Sequence, residues 1–172
     1  AVKGLKAMQA RGCNVSMPNK TVIHKYLDKL TPAAELAGAV NTVINDNGVL
    51  TGHITDGVGY MRSLSDAGFD VIGKKMTIVG AGGAATAICI QAALDGVAEL
   101  SIFNQDDEFF ARAEETVKKI NEKTNCKAKL FRLEDKEALR AEIADSVIFT
   151  NGTGMGMKPY VGQTYIEKDM LR

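Results

Sequence analysis

The chain has 172 residues, enough for one full domain or for one domain and a piece of another. Hydrophobic residues make up 45% and charged residues 24%, and 21 basic side chains balance 21 acidic ones, so the chain lacks the basic footprint of a nucleic-acid binder. It carries no unbroken apolar run of membrane-spanning length, and its first residues do not read as a signal peptide. Its few scattered Cys13, Cys89 and Cys126, with only His24 and His53, fit reduced thiols in the cytoplasm better than a disulfide framework or a metal cluster.

Val2, Leu5 and Met8 recur every three residues and predict a helix over residues 1–8. The chain starts inside that pattern, so sequence upstream is expected. A short strand is predicted at 13–16. Pro18 then opens a helix expected to run to about Leu30, because the first helical turn has no amide partner to lose. Thr31-Pro32 starts a second short helix that ends at Gly38. Strands are predicted at 39–44 and 49–53, joined by the hairpin signal Asn45-Asp46-Asn47-Gly48. Helical spacing returns over 56–68. From there strands at 76–79, 99–103, 127–131 and 146–150 alternate with helices at 84–94, 106–124 and 135–143. Such alternation predicts an α/β fold with a Rossmann-type doubly wound parallel sheet. A domain boundary is expected between Gly57 and Gly73, dividing residues 1–57 from 73–172 by a connecting helix over 58–72.

Gly80-Ala81-Gly82-Gly83-Ala84-Ala85 follows an apolar strand and opens a helix, the context that a G-x-G-x-x-A dinucleotide loop requires. The first glycine permits the turn, the second lets backbone approach a pyrophosphate, and the small last residue allows the helix to pack closely on the strand. Phosphates would lie on free amides at the positive end of the helix. The next predicted strand leads into Asn104-Gln105-Asp106-Asp107. An acidic residue about 20 positions past the loop commonly accepts the adenosine ribose hydroxyl. Either Asp106 or Asp107 can do so, or Asp106 caps the following helix. With no arginine in that stretch to hold a 2′-phosphate, NAD is expected in preference to NADP.

Several further blocks carry a more specific signal. Asn14-Val15-Ser16-Met17-Pro18-Asn19-Lys20 reads N-x-S-x-P-x-K, followed in order by Leu30-Thr31-Pro32, Gly38-Ala39-Val40-Asn41-Thr42, Gly52-His53-Ile54-Thr55-Asp56-Gly57, the glycine loop, and Asn151-Gly152-Thr153 through Gly156-Met157. In order and spacing these resemble the motifs of the shikimate dehydrogenase family, in wording nearest its quinate/shikimate dehydrogenase subgroup. The resemblance implies a substrate-binding part over 1–57 and an NAD(P)-binding domain over 73–172. It implies reversible hydride transfer between a nicotinamide ring and a ring alcohol of shikimate or quinate. By position Lys20 matches the family's catalytic lysine, Asp56 its catalytic aspartate, and Asn41 a residue bonded to substrate hydroxyls. Cofactor contacts are implied for Gly80, Ala81, Gly82, Gly83 and Ala84, for Asn104, Gln105, Asp106 and Asp107, and for Thr150, Asn151, Gly152, Thr153 and Met155.

The chemistry of those residue types agrees. Oxidising a secondary alcohol needs a group that takes the hydroxyl proton as the hydride leaves. Lys20 and Asp56 are read as one coupled acid/base pair, with the proton assigned to neither. Taken singly, a lysine near a helix start is usually a solvated charge, an Asp before glycine a cap, and an Asn a turn residue; the ordered set reverses that. Three departures stand out: Ile54 where the family has Asn, Gly154 where the subgroup often has Lys, and Gln105 where an arginine commonly follows Asn104. Full members also carry an earlier lobe with a Ser-x-Ser motif and a later strand and helix, so a fragment is expected. The alternative to a dehydrogenase is a regulatory nucleotide-binding module of the same fold. A small-molecule substrate is the expected partner, and monomer and homodimer both stay open.

Overall fold

The computed structural model describes residues 1–171. After a short helix, α1 (Val2–Ala7), come strands β1 (Gly12–Asn14) and β2 (Lys29–Leu30), helix α2 (Pro32–Ala37), and strands β3 (Thr42–Asp46) and β4 (Val49–His53). They build a sheet in the order β1-β3-β4-β2, with β3 antiparallel to both β1 and β4, and β2 parallel to β4. The hairpin signal is met: Asn47 and Gly48 have φ of 53° and 89°, both positive, as a two-residue turn between twisted strands requires. Gly38 closes α2 with φ 60°, and the Thr31 hydroxyl caps its start by accepting from Ala34 N–H.

The helix expected from Pro18 to Leu30 does not form. Two 3₁₀ turns, Asn19–Thr21 and Ile23–Tyr26, take its place, and Leu27 is extended into β2. Three successive β-branched residues, Thr21, Val22 and Ile23, disfavour a regular α-helix there. The Asp28 carboxylate also accepts from Leu50 N–H at 2.7 Å, which pins the segment to the edge of β4.

Helix α3 (Asp56–Asp66) leads to the second sheet, made of β5 (Lys75–Val79), β6 (Glu99–Asn104), β7 (Lys127–Arg132) and β8 (Ile148–Asn151), with α4 (Gly83–Asp95), α5 (Phe110–Lys123) and α6 (Lys136–Asp145) between them. Every pairing is parallel, in the order β7-β6-β5-β8. The chain moves outward from β5 to β7, then returns to β8 on the other side of β5. That reversal opens a crevice at the carboxyl ends of β5 and β8, where ligands of such sheets bind.

Alternate strand residues face two cores. Met76, Ile78, Leu100 and Ile102 join a cluster with α3, α4 and α5, whereas Val79 and Phe103 join Leu139 and Ile143 of α6. Helices thus cover both faces, as the doubly wound reading predicts. The first cluster extends without a break to Val43 and Leu50 of the first sheet. Some boundaries differ from expectation: β3 runs Thr42–Asp46 and not 39–44, and α5 starts at Phe110 and not at Asp106, where Asp107 builds a separate turn by accepting from Phe109 N–H at 2.9 Å. No helix among the described residues is long and apolar enough to cross a membrane.

Candidate active site

Asn41 organises the first half of the site. It is buried where β3 begins, and its amide nitrogen donates to Asp56 Oδ1 at 2.9 Å and to Thr55 Oγ1 at 3.1 Å. Its carbonyl oxygen accepts from Thr55 N–H at 3.0 Å and from the Thr42 hydroxyl at 3.1 Å. The junction between β4 and α3 is therefore clamped by one side chain, and Asp56 begins α3 in a set orientation. The carboxylate stands at the positive end of that helix, where negative charge is favoured.

Lys20 approaches from the other side, its Nζ 3.6 Å from Asp56 Oδ2. Its backbone carbonyl accepts from Val40 N–H at 2.9 Å, which ties the 3₁₀ turn to the residue before Asn41. Both charged side chains remain about one-third exposed, at 33% and 38%, so the pair is open to a ligand. The structure brings Lys20, Asn41 and Asp56 together as the motifs suggested. It corrects the setting of Lys20, which lies in a 3₁₀ turn and not in the first turn of an α-helix. Ile54, the departure from the family pattern, is buried in the core and leaves the orientation of Asp56 to Asn41.

The glycine loop forms the second half. Gly80 has φ 112°, and a side chain there would meet the Gly152 carbonyl oxygen at 2.9 Å. A side chain at Gly152 would in turn meet Ala85 Cβ at 2.7 Å. Small residues are needed at all three places for β5, α4 and β8 to converge. Helix α4 then starts at Gly83 without a side-chain cap, leaving its first amides to a ligand. This is a cradle that fits a dinucleotide pyrophosphate. Gly82 and Gly83 have open space around them, whereas Ala81 is buried.

Beyond β6, Asn104 is buried and donates to the Gln105 carbonyl and to Asp107 Oδ1, both at 2.9 Å. Gln105 Oε1 accepts from the Tyr165 hydroxyl at 3.2 Å. No arginine lies in the stretch 104–107 itself, but Arg132 of β7 forms an ion pair with Asp106 and lies over the Phe110 ring, 5.2 Å from its centroid. In register, Asn104 of β6 is opposite Arg132 of β7, so two parallel strands carry the pair to the same edge. Nothing in the linear order reveals that.

Past β8, Asn151 shapes the loop. Its amide donates to the Met155 carbonyl at 3.1 Å, and its oxygen accepts from the N–H and hydroxyl of Thr153. Thr150 is buried and meets the Tyr60 hydroxyl at 2.5 Å, so its hydroxyl is already engaged within the protein. Met155 is half-buried. Thr55, Tyr60, Arg132 and Tyr165 were not singled out from sequence. Thr55 lay inside a quoted motif, but the others had no local signal.

A sequence model described as "Shikimate dehydrogenase substrate binding domain" matches residues 1–43. The curated shikimate dehydrogenase (NADP(+)) of Listeria innocua is 74% identical over 172 residues, which is 99% of this chain and 59% of that protein. The crystal structure of shikimate 5-dehydrogenase from Listeria monocytogenes in complex with shikimate and NAD is 73% identical, with a TM-score of 0.97 over 99% of this chain and 60% of that one. The chain belongs to the shikimate dehydrogenase family. Quinate dehydrogenase from Corynebacterium glutamicum in complex with NAD is similar at 27% identity, with a TM-score of 0.83 over 99% of this chain and 58% of that one. The chain thus spans about three-fifths of the length of its shikimate dehydrogenase relatives. Within that span it holds both halves described above, the Lys20–Asp56–Asn41 cluster and the glycine cradle.

Proposed function

We propose that the protein carrying this sequence is a nicotinamide-dependent dehydrogenase that oxidises a ring alcohol of shikimate, or of the closely related quinate, to the 3-dehydro ketone. The observation that carries this is the open Lys20–Asp56 pair, oriented by Asn41 and joined through α3 to the helix that starts at the glycine cradle. When bound, the nicotinamide ring supplies the acceptor for a hydride. Lys20 and Asp56 take up the alcohol proton together, and the carboxylate holds the ammonium group in place. Asn41 keeps Asp56 turned toward the substrate and leaves Oδ2 to Lys20. Gly80, Gly82, Gly83 and Ala84 would hold the pyrophosphate, with Asn151, Gly152, Thr153 and Met155 toward the nicotinamide end.

Asp106 is the acceptor for a ribose hydroxyl in NAD. Arg132, paired with it, supports use of NADP as well. The family relatives point both ways, one being named for NADP(+) and another described with NAD.

The test follows formation of reduced nicotinamide, with shikimate or quinate as substrate and NAD or NADP as acceptor. Lys20→Ala and Asp56→Asn are each expected to lower kcat by roughly 10²–10⁴-fold, the usual contribution of a positioned acid/base group. Coenzyme binding without turnover of either acid would sink the substrate assignment and favour a regulatory nucleotide-binding module.

A further inference from the structure

Hydride transfer needs the acid/base pair and the nicotinamide held at one separation, yet the pair stands between a 3₁₀ turn beside the first sheet and the start of α3, while the cradle belongs to the second sheet. Among the described residues, one side-chain hydrogen bond links α3 to the end of β8. The Tyr60 hydroxyl meets Thr150 Oγ1 at 2.5 Å, joining residues 90 apart in sequence. Tyr60 lies four residues after Asp56 on α3, one turn along the same face of the helix. Thr150 precedes Asn151, which shapes the loop after β8, and Gly152, whose carbonyl packs on Gly80. The route from Asp56 to the cradle therefore runs along rigid backbone except at this one bond. The close approach of Gly57 to the Ala87 backbone carbonyl also sets α3 on α4, but it fixes their separation without a side-chain hydrogen bond. A hydrogen bond at this distance fixes direction as well.

We propose that the Tyr60–Thr150 hydrogen bond is a brace that holds Asp56 and Lys20 in place relative to the nicotinamide end of the dinucleotide site, with Tyr60 as a positioning residue for hydride transfer. The brace rests on the dehydrogenase function proposed above. Neither hydroxyl reacts. Their bond sets where the proton acceptor stands when the hydride leaves, and a misplacement of about 1 Å is enough to cost on the order of 10²-fold in rate.

The experiment uses the full-length protein carrying this sequence and the variants Tyr60→Phe, Thr150→Val, Thr150→Ser and Tyr60→Phe/Thr150→Val. Each is assayed with shikimate, with shikimate deuterated at the carbon that is oxidised, and for coenzyme binding and thermal midpoint. Tyr60→Phe and Thr150→Val are each expected to lower kcat about tenfold, with KM and coenzyme Kd within about twofold. The deuterium isotope effect should rise, because hydride transfer slows relative to product release. Thr150→Ser, which keeps the hydroxyl, should restore the rate, and the double variant should be no slower than either single one. An unchanged kcat, or a loss of kcat matched by equal losses of coenzyme affinity and thermal midpoint, overturns the brace. Absence of turnover by the unsubstituted protein overturns the dehydrogenase function and the brace with it, whereas normal turnover with an indifferent Tyr60→Phe removes the brace alone.

Discussion

At the residue scale, the proposed cofactor site turns on the ion pair Asp106–Arg132 at its adenosine end. Both side chains are more than half exposed, at 59% and 58%. An ion pair this exposed contributes little, so a ligand can exchange for either partner at little cost. On the proposed reading, a ribose 2′-hydroxyl would donate to Asp106, and a 2′-phosphate would recruit the guanidinium, which lies over the Phe110 ring. Arg132→Ala is expected to weaken NADP binding roughly tenfold and NAD binding less than about twofold, since one charge-assisted contact is lost in the first case only. Asp106→Ala should shift selectivity the opposite way, by removing the acceptor for NAD and the repulsion of NADP. Fluorescence titration with both reduced coenzymes measures this, and equal changes for both would refute it. The meeting of Lys20 with Asp56 and the glycine turn between β5 and α4 were legible because Lys20, Asp56 and the glycines each lie in a compact motif. Arg132 was not. It sits 26 residues beyond Asp106 and arrives through strand register, which no local pattern encodes.

At the scale of elements, α3 starts at Asp56 and packs on α4, and Gly57 sets how close the two helices come. A methyl group at Gly57 would stand 2.2 Å from the Ala87 carbonyl oxygen and 2.7 Å from Gln91 Cβ. The carbonyl is helix backbone and cannot yield without moving α4. Gly57→Ala is expected to cost about 1–3 kcal/mol of stability by overpacking, and to lower kcat as Asp56 shifts with its helix. Denaturant unfolding and kinetics test both, and an unchanged midpoint with normal kcat would show that the helices adjust. A second element-level device holds α6 to the sheet. Lys75 of β5 lies 2.7 Å from Glu142 and 2.8 Å from Asp145, and Ser101 also donates to Glu142. Burial alone would raise the Glu142 carboxyl, but the hydrogen bonds from Lys75 and Ser101, with the charges of Lys75 and Lys129, hold it below its ordinary value. A carboxyl depressed on folding stabilises the protein above its unfolded value and loses that contribution as the pH falls through the folded one. Glu142→Gln should therefore lower the thermal midpoint near neutrality, with the gap to the unsubstituted protein closing in acid below about pH 4.5. A gap independent of pH would assign the effect to packing. The elements themselves were largely legible, because βα alternation and the Asn-Gly turn are short-range signals. Residues 18–30 were not, since the proline that suggests a helix start is followed by β-branched residues and by Asp28, whose partner Leu50 lies on another strand.

For the whole molecule, sequence suggests two units divided between Gly57 and Gly73, yet the buried core does not stop there. Val43 and Leu50 of the first sheet, Ala34 of α2, Leu64 of α3 and Ile90 of α4 belong to one apolar cluster that reaches Ile120 of α5. Separating the sheets would expose that shared surface, at about 25 cal/mol for each Å² of apolar area. The two halves are therefore expected to unfold as one cooperative unit. The three cysteines report on this. Cys13 is a half-buried residue of β1, whereas Cys89 of α4 and Cys126 ahead of β7 are buried. Burial pushes the Cys89 thiol up to about 12, helped by Cys126, and pushes Cys126 up to about 11, helped by Glu99. Since only the thiolate reacts, both should resist alkylation in the folded protein at mildly alkaline pH. Under rising denaturant, brief alkylation read by mass spectrometry should label Cys89 and Cys126 over one common transition, coincident with loss of far-ultraviolet circular dichroism. Cys13 should complete its labelling over that same transition. If Cys13 became fully reactive while Cys89 and Cys126 stayed protected, the first sheet would be unfolding alone. The shared core would then be too weak to couple the acid/base pair rigidly to the dinucleotide site, and the Tyr60–Thr150 bond would have to hold them together against a loose interface.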